Sequence, residues 1–237
     1  MISVIVPAYN EEKLLPATLA AINSALVGVA GRELIVVDNE STDKTREIAE
    51  AAGARVVTES VHNISRVRNA GAETATGDVL IFIDADTVVR QGVFEKIEDA
   101  MAVLKCFGGS VAVEYEGPYT RSWMGFFVRL YIVLGKFTKM RQGALQYCRA
   151  DIFRELSGYD ETIYVGEDIE FHWRVDKLAK RRGGHTSFIE GPLVVTSSRR
   201  LNQMGLIRML FFTHPITIFL ALRTRSFWKD WYERAIR

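Results

Sequence analysis

Two carboxylates, Asp84 and Asp86, stand on either side of Ala85, directly after the apolar run Val79-Leu80-Ile81-Phe82-Ile83. At that spacing on a rigid element they can grip a divalent cation, and an oxygen-only set suits Mg²⁺ or Mn²⁺. The same residues also suit a capped strand end leading into a helix, where Asp is common. A second acidic pair, Glu167-Asp168, follows Gly166 and opens a helical stretch. Negative charge in a first helical turn is favourable for structural reasons alone.

The elements that must position these residues alternate strand and helix. Residues 79–83 read as a strand buried on both faces, because a half-exposed strand would alternate apolar with polar. Residues 2–6 predict another such strand, stopped by Pro7, with 7–12 as the loop into a helix. Leu14, Leu15, Leu19, Ile22 and Leu26 recur at helical spacing, and Gly28 and Gly31 end it. Residues 34–37 predict a strand closed by Asp38, followed by turn residues 39–43 and a helix over 44–52. A short strand over 55–57 and a helix to Ala75, capped by Ser65, complete the series.

This alternation specifies a mainly parallel, Rossmann-like sheet flanked by helices, with right-handed crossovers. In such a sheet the loops after three strands lie along one edge and converge on one crevice. No Gly-x-Gly-x-x-Gly follows the first strand and no Walker lysine is present. A dinucleotide fingerprint and a P-loop are therefore not expected, and a nucleotide here would carry its phosphates on a metal.

Beyond residue 90 the pattern changes. Phe94, Ile97, Ala100, Met101 and Leu104 mark a helical face, and 110–115 a strand. Residues 123–137 predict a helix apolar on most sides, shorter than the roughly 20 residues that span a bilayer and interrupted by Arg129. Residues 145–148 resemble a strand and 149–156 a helix. A helix over 167–182 ends in Lys177, Lys180, Arg181 and Arg182, matching the negative end of its dipole. Residues 188–189 and 193–195 read as two short strands.

The 237 residues carry a net charge of +1, which argues against general nucleic-acid binding. The charge is uneven: from Arg199 onward eight Arg or Lys oppose two acids, giving +6 there and leaving −5 for the rest. Cys106 and Cys148, far apart in apolar surroundings, suit reduced thiols in a cytosolic compartment. Met1 leads straight into a strand-like run, so no signal peptide is expected.

Five motifs occur in order: Pro7-Ala8-Tyr9-Asn10-Glu11-Glu12; Val36-Val37-Asp38-Asn39-Glu40-Ser41-Thr42-Asp43; Arg68-Asn69-Ala70-Gly71; Asp84-Ala85-Asp86; and Gly166-Glu167-Asp168. Together they resemble the family 2 glycosyltransferases of GT-A fold, over about residues 1–195. Asn39-Glu40 departs from the small or acidic residues frequent in that family. The resemblance implies that Pro7, Ala8, Tyr9 and Glu11 line the base and ribose of a nucleotide-sugar donor. Asp38 would accept a hydrogen bond from the base, such as the N3–H of uracil. Arg68 would face the nucleotide, and Gly71 would let its helix approach closely.

Asp84 and Ala85 would lie against the ribose or sugar, and Asp86, with Asp84, would hold Mg²⁺ or Mn²⁺ on the diphosphate. Asp168 would be the general base of an inverting hexosyl transfer, chosen over Glu167 by family position. Glu167, Trp173 and Arg174 would border the acceptor, although aromatic and basic residues on a helix also serve as packing. His172, one turn after Asp168, could orient that base or be a structural histidine. His62, His185 and His214 have no evident place as metal ligands.

The expected organisation is a single GT-A domain over 1–200, with a nucleotide half to about 105 and an acceptor half after it. Residues 201–237 form a basic, amphipathic helical tail. Its Arg223, Arg225 and Lys229 mix with Phe227, Trp228, Trp231 and Tyr232, as in segments that lie on a membrane; packing on the domain is the other reading. The expected setting is the cytoplasmic face of the membrane, with a lipid-linked or polysaccharide acceptor. A polyprenyl- or dolichyl-phosphate sugar synthase using a GDP- or UDP-sugar, and a non-catalytic nucleotide-sugar-binding scaffold, are the alternatives. A nucleotidyltransferase is disfavoured, because the loop after the first strand is acidic and lacks glycine.

Overall fold

The apolar runs seen in the sequence assemble into one eight-stranded sheet in the computed structural model, which describes residues 1–115 and 144–197. In chain order the strands are β1 (Ile2–Ala8), β2 (Arg32–Asp38), β3 (Arg55–Thr58), β4 (Val79–Ile83), β5 (Thr87–Val89), β6 (Cys106–Tyr115), β7 (Leu145–Arg149) and β8 (His185–Thr196). Their spatial order is β3-β2-β1-β4-β7-β6-β8-β5. The first four pair in parallel, as the strand–helix alternation requires. From β4 outward the sheet is mixed: β7 is antiparallel to β4 and β6, β8 is parallel to β6, and β5 is antiparallel to β8.

The helices are α1 (Leu15–Ala25), α2 (Thr45–Ala51), α3 (Ile64–Thr74), α4 (Val93–Ala102), α5 (Ala150–Glu155) and α6 (Glu167–Arg181). Strand side chains alternate between faces, and this divides the core in two. Val4, Val6, Ile81 and Ile83 pack on one face with Leu15, Leu19 and Ile22 of α1 and Phe94 and Ile97 of α4. Ile5, Leu80 and Phe82 pack on the other with Val67 of α3, Phe153 of α5 and Phe171 and Val175 of α6. Both faces of β1 and β4 are covered, which explains why their sequences do not alternate with polar residues.

Several boundaries differ from the sequence-based expectation. Pro7 does not stop β1; it pairs with Val37 inside the strand. Pairing with β4 has ended at Ile5–Phe82, so one side of β1 is already unpaired there and the ring is tolerated. Asn63, not Ser65, caps α3, its Oδ1 accepting the Arg66 N–H at 3.1 Å. The two late strands are one, β8, irregular between the pairs Val111–Ile189 and Val113–Val194. Both cysteines are free and buried. The apolar helix expected over 123–137 and the tail over 201–237 lie outside the described residues. No helix among the described residues is long and apolar enough to cross a membrane.

Candidate active site

The parallel register places Ala8 beside Asp38 and Ile5 beside Phe82, so the ends of β1, β2 and β4 share one edge. The loops after β1 and β2 clasp each other there. The Asn10 amide donates to Ser41 Oγ at 3.0 Å, and Asn10 Oδ1 accepts the Thr42 N–H at 2.7 Å. The Glu11 amide donates to Thr45 Oγ1 at 2.7 Å, fixing Glu11 at the mouth of α1. Asp38 is 4% exposed and its Oδ1 accepts the Ser41 N–H at 3.2 Å. Its Oδ2 takes no hydrogen bond among the described residues. Pro7 and Ala8 are buried strand residues of this wall, and Tyr9 is half-buried.

Gly71 lies where α3 packs on β1 and β2. A Cβ there would lie 2.5 Å from Ile5 Cγ2 and 2.8 Å from Val37 Cγ2, so only glycine lets α3 rest on β1 and β2 this closely. That approach brings Arg68 over the sheet edge. Arg68 is 4% exposed; it donates from one terminal nitrogen to Asp84 Oδ1 at 2.8 Å and from the other to Glu167 Oε1 at 2.6 Å. Its guanidinium carbon lies 5.3 Å from the Tyr159 ring centroid. Burial alone would lower the Arg68 pKa, but the charges of Asp84 and Glu167 outweigh it and hold the guanidinium well above its ordinary range. It is a fixed cation.

Asp168 begins α6 beside this pair. Gly166 adopts φ +77° as the helix N-cap, a backbone shape that glycine supplies without steric cost. Asp168 Oδ1 accepts the N–H of Ile169 at 2.8 Å. Burial first, and then the neighbouring Glu167 charge, push the Asp168 carboxyl up to about 7, against the pull of Arg68 and of the Ile169 N–H. A carboxyl titrating near neutrality is matched to taking a proton from a hydroxyl. Gln146 of β7 holds the backbone of this residue, donating from Nε2 to the Asp168 carbonyl at 3.0 Å while Oε1 accepts from the Tyr159 hydroxyl at 3.3 Å.

Asp84 keeps its second oxygen outside the pair with Arg68 and is half-exposed. Asp86 is also half-exposed, with Oδ1 accepting from Thr196 Oγ1 at 3.4 Å. Ala85 is buried between them, its carbonyl accepting from Thr18 Oγ1 at 2.8 Å. Among the described residues no group of three or more His, Cys, Asp or Glu forms a metal-holding cluster. Two carboxylates on one turn fit Mg²⁺ or Mn²⁺, which keep waters and take substrate phosphates as further ligands.

The structure thus brings together Arg68, Asp84, Glu167 and Asp168, and sets Asp86 beside them in sequence. It does not bring Arg174 to them. Arg174 lies roughly 240° around α6 from Asp168 at 100° per residue. It binds both Glu170 oxygens and donates to the Leu156 and Gly158 carbonyls at 2.8 Å. It lines a separate cavity of about 410 Å³ with Asn69, Glu161 and Glu170. Trp173 is 43% exposed, on yet another face of α6. His172 is buried within α6. Three contributors escaped the sequence reading. Gln146 lies in an unremarkable strand; His62 packs on Tyr9 with ring centroids 4.5 Å apart; and Asn69 binds the Tyr159 backbone from both its amide atoms. Asn69 alone gave a signal, as part of the Arg-Asn-Ala-Gly motif.

Residues 3–157 match the family described as Glycosyl transferase family 2, and the chain belongs to it. An uncharacterized glycosyltransferase of Mycobacterium tuberculosis is 40% identical over 96 residues, which cover 40% of this chain and 41% of that protein. The match therefore spans about two fifths of the curated relative's length. The fold is GT-A, shared with two solved structures. One is Staphylococcus aureus TarS (residues 1–349) in complex with UDP-GlcNAc, at 18% identity and TM-score 0.63 over 86% of this chain and 61% of that one. The other is glucosyl-3-phosphoglycerate synthase of M. tuberculosis in complex with Mn²⁺, UDP-glucose and phosphoglyceric acid, at 20% identity and TM-score 0.61 over 88% and 76%.

Proposed function

We propose that this chain is an inverting, metal-assisted hexosyltransferase that moves a sugar from a UDP-sugar to a hydroxyl of a lipid-linked or polysaccharide acceptor. The observation that carries the reading is Asp168: a carboxyl pushed up to about 7 and joined through Glu167 and Arg68 to Asp84 at the sheet edge. In the reaction the acceptor oxygen bonds to the anomeric carbon as the bond to the diphosphate oxygen breaks, and that electron pair leaves with the nucleotide. Asp168 takes the acceptor proton, an assistance of typically 10²- to 10⁴-fold. One displacement inverts the anomeric centre. Asp84 and Asp86 would hold Mg²⁺ or Mn²⁺, which supplies Lewis-acid stabilisation of the departing diphosphate.

Asp38 offers its second oxygen to a base N–H, and both solved neighbours named above carry a UDP-sugar in their complexes, which supports uridine as the base. Glu167 would fix the acceptor side through Arg68. The basic–aromatic segment 201–237 would rest on the cytoplasmic face of the membrane, close to a lipid-linked acceptor. The test is Asp168→Asn. Transfer from a UDP-sugar should fall by 10²-fold or more while calorimetric UDP binding with Mn²⁺ is little changed. Transfer near the wild-type rate would remove Asp168 from the role. UDP binding by wild type without turnover on any acceptor would favour the scaffold reading, and failure to bind either UDP or GDP would overturn the nucleotide-sugar reading.

A further inference from the structure

The donor end of the cleft contains a histidine that the donor motifs do not include. His62 lies between β3 and α3, immediately before the Asn63 cap. Its ring meets Tyr9, from the loop after β1, at a centroid distance of 4.5 Å and an interplanar angle of 40°. Its Nδ1 lies 3.1 Å from Oδ1 of Asn39, the residue that follows Asp38. Three chain segments that share no sequence neighbourhood therefore meet at one ring.

Asn39 decides which nitrogen of that ring carries the proton. Asn39 is 5% exposed, and its Nδ2 faces two carbonyl oxygens, Glu59 O and Val61 O, the latter at 3.1 Å. Carbonyls only accept, so the amide NH₂ must point at them and Oδ1 must point at His62. An amide oxygen also only accepts, so Nδ1 of His62 must donate. In the neutral ring the proton then sits on Nδ1, and Nε2 is an acceptor. Nε2 makes no hydrogen bond among the described residues, and His62 is half-buried, not sealed. The outcome is a pre-oriented acceptor on an aromatic corner, held by Asn39, the residue that follows Asp38.

We propose that His62 is a specificity-determining residue of the donor site: Asn39 holds it as the Nδ1–H tautomer, and its Nε2 accepts a hydrogen bond from the nucleoside of the bound nucleotide. The proposal rests on the nucleotide-sugar reading above and deepens it. The partner group is an uncharged donor on the ribose, its 2′- or 3′-hydroxyl, because the one N–H of uracil is the donor that Asp38 takes. A histidine placed only to pack on Tyr9 would not need its tautomer fixed by a buried amide.

The experiment combines calorimetry with ¹⁵N NMR of the imidazole in the full chain, with UDP and diamagnetic Mg²⁺ as the probe. In the free protein the His62 signals should show Nδ1 protonated and Nε2 bare. Saturating UDP should move the Nε2 resonance and leave Nδ1 in place. His62→Phe, which keeps a ring against Tyr9, should weaken UDP binding about tenfold, the weight of one well-placed hydrogen bond. 2′-Deoxy-UDP separates the two hydroxyls. Loss of the Nε2 shift assigns the contact to the 2′-hydroxyl, and its retention assigns it to the 3′-hydroxyl; either supports the proposal. An Nε2 signal unmoved by bound UDP, or a His62→Phe protein that binds UDP as wild type does, overturns it while leaving the donor-site reading intact. A wild-type protein that binds no nucleoside diphosphate overturns both.

Discussion

Replacing Arg68 with methionine tests the electrostatic core of the site. The change keeps an unbranched apolar stem over Tyr159 and removes a cation that is 4% exposed. It deletes two charge-assisted hydrogen bonds, of 2.6 and 2.8 Å, and leaves the Glu167 carboxylate, itself 10% exposed, without its counter-charge. Breaking a buried ion pair by removing one partner costs about 3–5 kcal/mol. Domains of this kind hold about 5–15 kcal/mol in all, so the variant should fold but stand close to its limit. At about 2–4 °C per kcal/mol the melting temperature should drop by roughly 6–20 °C.

The pH dependence of that loss is the sharper readout. Asp168 already sits at about 7, above its ordinary 3.8, and Arg68 is one of the two influences that hold it down. A carboxyl whose folded pKa is raised keeps its proton in the folded state after the unfolded chain has released it. Stability then falls as pH climbs from the unfolded value through the folded one. Removing Arg68 raises the folded value further, so the deficit against wild type should be larger at pH 8 than at pH 5. Urea unfolding at both pH values measures it. A deficit below about 1 kcal/mol at pH 8, or one equal at both pH values, would refute the ion-pair account.

Two further outcomes follow from the same geometry. With Asp168 as the base, kcat/KM should rise with pH through an acid limb near 7, because only the ionised carboxylate can accept the acceptor proton. A limb near 4 would place the base elsewhere. Gly71→Ala should destabilise by about 1–3 kcal/mol, since the added methyl falls 2.5 Å from Ile5 Cγ2 and 2.8 Å from Val37 Cγ2. Chemical denaturation reads this directly, and an unchanged midpoint would show that α3 can shift.

Much of the fold was legible because its signals are local. A run such as Val79–Ile83 needs cover on both faces, and a strand–helix alternation needs parallel pairing with crossovers on a fixed hand. These rules also put Asp38, Asp84 and Asp86 on one edge before any coordinates. Where local rules competed, they misled. Pro7 read as a stop but is carried inside β1, because pairing on one side had already ended; Ser65 and Asn63 are both good caps, and the chain entering from β3 selects Asn63.

What belonged to the tertiary structure alone was the pairing of side chains across long stretches of sequence. Arg68 meets Glu167, 99 residues away, because β7 inserts beside β4 and brings α6 over the same face as α3. Gln146 and Asn69 reach Tyr159 only through the fold, and Asn39 turns toward His62 only because two carbonyls of the loop after β3 claim its amide nitrogen. Hydrogen-bond geometry is set over ångströms, whereas periodicity specifies only which face a residue occupies. Periodicity and alternation bring certain residues to the sheet edge, and the packing of α3 and α6 on the sheet selects which of them touch.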